Sequence, residues 1–201
     1  MGGAVRIAAR RSRCRTGRRA LLLALTRKTL AGGGVRRGAY DGAIADPRPN
    51  IFTETFSRQG DGLRTEQVVR NAGGELLGGT LYELAPGHDG VPLHIHHGME
   101  ELAIVVSGRP TLRTLQGECE LAPGDVVSFP RGRRGAHTLA NRGDESVRYL
   151  MISTKVMPEV VEYPEEGTVR MLTRGRFDPP KQGDDPNDRL NLRFNRSDAI
   201  E

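Results

Sequence analysis

All five histidines of the chain lie between positions 88 and 137, and four of them, His88, His94, His96 and His97, fall within ten residues. His94 and His96 are two apart in a segment that reads as a strand. Successive strand side chains alternate between faces, so both imidazoles point the same way. Glu101 follows after the turn residue Gly98 and opens the next strand. His137 comes from a distant one. Three imidazoles and one carboxylate converging on a point make a mixed nitrogen and oxygen site. Such a donor set suits a divalent transition metal: Mn, Fe, Co, Ni or Zn. A lone histidine is more often structural, but a strand-borne His-x-His with a nearby Glu and a further His points to metal ligation.

The neighbouring residues sort by the same alternation. Glu100 faces away from Glu101, toward solvent, and His97 faces away from His96. His88 is expected on a solvated loop. Arg131, Arg133 and Arg134 cluster in the loop leading to His137. At a cavity mouth they would hold a substrate carboxylate or phosphate through paired hydrogen bonds, against the plainer reading of a solvated loop. Tyr82 is a candidate cavity phenol, as is Tyr149, against a core role for both. Cys119 alternates with Leu121 and reads as core.

These residues need a scaffold of short strands. Runs of β-favouring residues cover Arg64–Arg70, Leu76–Leu84, Glu101–Val106, Thr111–Leu115, Asp125–Phe129, His137–Ala140 and Ser146–Thr154. Between them stand turn signals such as Pro86-Gly87, Ser107-Gly108, Pro123-Gly124 and Asn141-Arg142-Gly143-Asp144. Turns at roughly ten-residue spacing predict an all-β sandwich or barrel. No amphipathic helix of ten residues stands out. In Ser146–Thr154, Val147, Tyr149 and Met151 share one face. Leu150 and Ile152 sit on the other with Arg148, so this strand is expected to be buried on both sides. Beyond Met171 the chain turns polar. Leu190, Leu192 and Phe194 alternate there, which fits a terminal edge strand or a subunit contact, against a loosely held tail.

With the motifs in view, the chain resembles the cupin superfamily. The first cupin motif appears as His94-Ile95-His96, four residues, Glu101, six residues and Gly108. The second appears as Gly124, five residues, Pro130-Arg131-Gly132, and later His137, three residues and Asn141. There are two departures. The family's leading Gly falls on His88, and four residues rather than two separate Gly132 from His137, which lengthens that loop. The resemblance runs over roughly 47–172 and is similar to that of many small bacterial cupins. It implies a double-stranded β-helix, a jelly-roll-like antiparallel barrel of six or more strands, usually dimeric, with a metal in its mouth. It implies His94, His96, Glu101 and His137 as ligands, the same four reached from residue types and spacing. It does not imply one reaction, since the fold hosts oxygenases, decarboxylases, isomerases and sensors.

Charge divides the 201 residues unevenly. The first 40 carry eleven basic residues and no acid, whereas the remaining 161 carry 19 basic and 25 acidic residues. The overall charge of +5 therefore belongs to a basic N-terminal arm, not to the body. Residues 1–46 are expected to be a disordered extension or sequence upstream of the true start, 47–172 the barrel, and 173–201 a polar C-terminal tail. Without an aromatic residue before Tyr40 the arm offers no base stacking, and the acidic body argues against nucleic acid as a partner. No run approaches ~18 apolar residues, so no spanning helix and no membrane role are expected. Two cysteines, Cys14 and Cys119, make no disulfide framework and fit a reducing, cytoplasmic setting. The expected function is that of a metal-binding protein, a homodimer, acting on a small oxygenated molecule, acid or sugar-like. The rivals are a sensor that binds without turnover and, further off, a nucleic-acid-associated protein using the arm.

Overall fold

The structure is a computed structural model that describes residues 48–173, 191–195 and 197. The basic arm, 1–46, lies outside the described residues, as does most of the expected tail. The described residues form thirteen strands, one α-helical turn and one 3-10 turn (Arg133–Gly135): β1 (Arg58–Gly60), β2 (Leu63–Glu66), α1 (Val68–Asn71), β3 (Leu77–Leu84), β4 (Ile95–His96), β5 (Glu101–Ser107), β6 (Thr111–Thr114), β7 (Gly117–Glu120), β8 (Val126–Phe129), β9 (Thr138–Ala140), β10 (Val147–Thr154), β11 (Glu159–Tyr163), β12 (Thr168–Leu172) and β13 (Asn191–Asn195). Every strand pairing is antiparallel.

One layer is a six-stranded sheet in the order β1-β2-β3-β10-β5-β8. The other combines β13-β12-β11-β4 with β7-β6-β9. A bridge between His94 and His137 joins those two pieces. The main core lies between the layers. Leu84, Ala103, Val105, Phe129, Val147, Tyr149 and Met151 come from the six-stranded sheet, and Leu112 and Leu139 from the opposite layer. Among the described residues, no helix is long and apolar enough to cross a membrane.

The two-sided burial of β10 follows from a second cluster behind the six-stranded sheet. Phe56, Val68 and Leu81 form it, with Leu150 packed against them. This outer cluster explains where Arg64–Arg70 departs from a continuous strand. The chain leaves the sheet after Glu66 and makes a single helical turn that buries Val68 beneath the sheet. Val69 then sits against β3, where a Cβ on Gly79 would come within 2.0 Å of it. Tertiary packing overrides the β preference of two adjacent valines. β11 and β12 are strands that the turn-and-run pattern does not mark. The terminal segment does form an edge strand, β13, with Leu192 and Phe194 exposed.

The same outer face carries a buried ion cluster. Glu83 accepts hydrogen bonds from Nε of Arg64 at 2.9 Å and Nε of Arg148 at 3.1 Å. Both guanidiniums also lie over the Phe56 ring, at 4.6 and 5.3 Å. Burial pushes the Glu83 carboxyl up, but Arg148 and Arg64 outweigh it and hold its pKa below 4.5. A carboxyl depressed on folding contributes stability above its unfolded pKa and loses it as pH falls through the folded value. Stability is therefore expected to fall steadily below pH 4.5. Thermal melting across that range should show a shallower acid slope in Glu83→Gln. The same variant should be destabilised by about 3 kcal/mol at neutral pH, because it leaves the buried Arg148 guanidinium with only the exposed Glu54 carboxylate, at 3.3 Å, as its partner.

Candidate metal centre

The antiparallel bridge sets the first two imidazoles opposite each other. The His94 amide donates to the His137 carbonyl at 3.2 Å, and the His137 amide to the His94 carbonyl at 3.1 Å. His96 lies two residues beyond His94 on the same face. Ile95 between them points the other way, into a buried contact with Leu93 and Ala136. Glu101 opens β5 in the opposite layer and reaches across to all three. Its Oε2 is 3.2 Å from Nε2 of His96, 3.2 Å from Nε2 of His137 and 3.8 Å from Nε2 of His94. The donor atoms of His94, His96 and Glu101 all lie within 4.8 Å of one another. The longer loop before His137 is taken up by a 3-10 turn at Arg133–Gly135, and His137 is 1% exposed.

Two of the imidazoles have their tautomer set by backbone. Nδ1 of His94 lies 2.8 Å from the Pro92 carbonyl, and Nδ1 of His137 lies 2.8 Å from the Gly135 carbonyl. A carbonyl only accepts, so each ring carries a proton on Nδ1 and turns Nε2 toward Glu101 as the atom a metal would take. Nε2 of His137 is buried with no hydrogen-bond partner. With neither a proton nor a metal ion between them, the Nε2 lone pairs and the carboxylate would repel across these 3.2–3.8 Å separations. The residues present therefore fit a divalent metal. Burial pushes the Glu101 carboxyl up, but the surrounding imidazoles overcome this and hold it well below 4.5. Burial lowers the pKa of His94. It lowers that of His96 too, yet Glu101 and Glu159 together raise it to about 9.

Glu159 is the residue that sequence reasoning missed. It is fully buried at the start of β11, with Oε1 3.5 Å from Nδ1 of His96. The same oxygen accepts the amides of His97 at 3.1 Å and Gly98 at 3.2 Å. The other oxygen, Oε2, has no hydrogen-bond partner. A Cβ on Gly98 would come within 2.8 Å of it, so the turn after His96 packs directly against this carboxylate. The one available signal was a glutamate at the apolar phase of a period-2 strand, alternating with Val161.

The cluster lies on a cavity of about 200 Å³ lined by His94, His96, Glu101 and Tyr82. Tyr82 stacks on the buried Tyr149 with ring centroids 5.1 Å apart. Arg131, Arg133 and Arg134 are exposed and do not line this cavity; Arg133 instead approaches Glu162 at 3.7 Å. His97 and Glu100 are exposed, as the alternation requires. His88 bonds the Pro86 carbonyl at 3.0 Å, away from the cluster. The cations that do line the cavity are Arg70, Lys155 and Arg170, none of which belongs to a histidine motif.

Residues 80–153 match the family model described as a cupin domain. Two solved structures are similar over most of the barrel. One is a putative sugar phosphate isomerase from Acidithiobacillus ferrooxidans, 25% identical, with a TM-score of 0.58, covering 69% of this chain and 80% of its own. The other is a sugar phosphate isomerase of the cupin superfamily from Silicibacter pomeroyi, 26% identical, with a TM-score of 0.54, covering 60% of this chain and 82% of its own. No curated protein matches the sequence.

Proposed function

Given a chain whose residues 80–153 form a cupin domain, we propose that it is a metal-dependent enzyme that isomerises a small sugar-like molecule. The observation that carries this is the His94, His96 and Glu101 cluster, with His137 against it, on the wall of a cavity of about 200 Å³. That volume is below the ~300–1,000 Å³ of drug-sized sites and suits a small substrate. The proposed ligands are His94, His96, Glu101 and His137. A divalent ion held there supplies Lewis-acid polarisation of a substrate carbonyl or hydroxyl oxygen. The chain's own contribution is orientation. The Pro92 and Gly135 carbonyls hold two rings with Nε2 inward, and Tyr82 and Tyr163 wall the cavity beside them. The two isomerases above support the reaction class by likeness.

The test is reconstitution with Mn, Fe, Co, Ni and Zn, followed by incubation with pentose and hexose phosphates in deuterated water. Stoichiometric metal and chelator-sensitive deuterium incorporation at a substrate carbon are expected. Stoichiometric metal and tight ligand binding without turnover would instead identify a sensor. Failure to hold any of the five metals would overturn the site assignment itself.

A further inference from the structure

We propose that Gly78 and Ser153 are specificity-determining residues of the metal-bearing cavity, forming a floor along which the carbon chain of the substrate lies extended. The inference rests on the reading of that cavity as the substrate site. β3 and β10 pair row by row: Leu84 with Val147, Tyr82 with Tyr149, Thr80 with Met151 and Gly78 with Ser153. Leu84, Val147, Tyr149 and Met151 belong to the packed core, whereas Gly78, Thr80 and Ser153 line the cavity. Large side chains fill one end of the barrel, and the last row leaves the other end open. That row continues onto β5, where Ser153 pairs with Glu101. It therefore runs from a proposed metal ligand through a serine to a glycine. At about 4.8 Å per strand step, its two ends stand about 10 Å apart.

A glycine inside a strand weakens it, and marks a bulge, a close approach of backbone or a close approach of ligand. The β3–β10 register is unbroken from Leu77 to Leu84, so Gly78 marks no bulge. Its φ lies outside the left-handed region, so the backbone does not demand glycine either. Gly79 is accounted for on the opposite face by Val69. At Gly78 a Cβ would meet the Ser153 hydroxyl at 2.4 Å, and the next nearest atoms, at 3.8 Å, also belong to Ser153. What the missing side chain leaves open is cavity. Val161, Tyr163 and Leu172 line that cavity from the opposite layer. At the other end of the row, Glu101 faces the buried, unpartnered Nε2 of His137, so the row begins at a centre that already calls for a bound ion. Gln67 Nε2 donates to Thr80 Oγ1 at 3.0 Å, and both residues line the cavity beside Ser153. These neutral groups match hydroxyls. The substrate this implies is an unbranched polyhydroxy chain in its open form. Its carbonyl or hydroxyl oxygens meet the metal, and its remaining carbons lie over Ser153 and Gly78.

The experiment uses straight-chain hydroxamates of two to six carbons, whose head group chelates a metal ion. They are titrated by calorimetry into the full chain loaded with whichever of Mn, Fe, Co, Ni and Zn it holds best. Wild-type affinity is expected to rise by about fourfold per added methylene, the value of burying one. Gly78→Val should leave the two-carbon probe unchanged and weaken the six-carbon probe by about tenfold or more, the cost of overpacking. Ser153→Val should impose its limit at a shorter length, because residue 153 stands one strand nearer Glu101. Both variants should hold metal as tightly as wild type. Valine favours strands, and Gly78→Ala serves as a milder second variant should Gly78→Val fold poorly. Losses equal at every length, or no loss in any variant, overturn the floor and leave the reading of the centre intact. Length-dependent losses as described, with no sugar isomerised, remove the isomerase reading and leave the floor standing. A chain that holds none of the five ions overturns the centre and the floor together.

Discussion

Purified His96→Ala protein is expected to hold metal at least about 100-fold more weakly than wild type, beyond the roughly 10–100-fold lost with an outer-shell partner. His96 Nε2 is 3.2 Å from the Glu101 oxygen on which the three rings converge. Removing it opens the cluster on the side facing the cavity and deletes one of four donors. His97→Ala is the matched control. Its ring is exposed and pairs with Glu162 at 3.3 Å, outside the cluster. Metal analysis after dialysis against a weak chelator should show an occupied His97→Ala and an empty His96→Ala. Equal occupancy in both would remove His96 from the ligand set.

The second large effect is expected at Glu159. Glu159→Gln should weaken metal binding by roughly 10–100-fold, because an imidazole bound through Nε2 is more basic and better oriented when Nδ1 faces a carboxylate. The same change should lower the melting temperature of the metal-free protein at neutral pH, because Glu159 helps hold His96 protonated there, with a pKa of about 9. That cost should be full below the unfolded histidine pKa and fade as pH rises through about 9. A stability loss that is the same at every pH, with metal affinity intact, would make Glu159 a brace for the turn and nothing more.

The grouping of His94, His96 and Glu101 was legible in the sequence because its geometry is local: His94 and His96 share a face by strand alternation, and Glu101 follows one turn later. His137 comes from a distant segment and meets them by pairing with His94 across a bridge. The barrel was legible because glycine and proline turns recur at even spacing. What stayed hidden depends on where distant segments dock. Arg131, Arg133 and Arg134 lie close to His137 along the chain, yet their loop runs over the outer surface. The cations that line the cavity arrive on α1, on the exit from β10, and on β12. Val68 and Val69 favour a strand in isolation and become helical only because Phe56 and Leu81 offer a buried place for Val68. Glu159 looked like an ordinary acidic residue after a proline, because nothing in its neighbourhood names His96, more than sixty positions earlier.

His94 and His137 each lean on a carbonyl two residues upstream, at Pro92 and Gly135, so each ring carries its own support within its loop. These two loops are portable. Grafted onto another barrel of similar curvature, segments 92–101 and 135–141 would bring two correctly turned imidazoles with them. His96 would arrive without its anchor, which sits in a strand beyond the end of the matched cupin domain. An engineer borrowing this centre would have to transplant the Glu159–Tyr163 strand as well, or supply a new carboxylate behind the third ring.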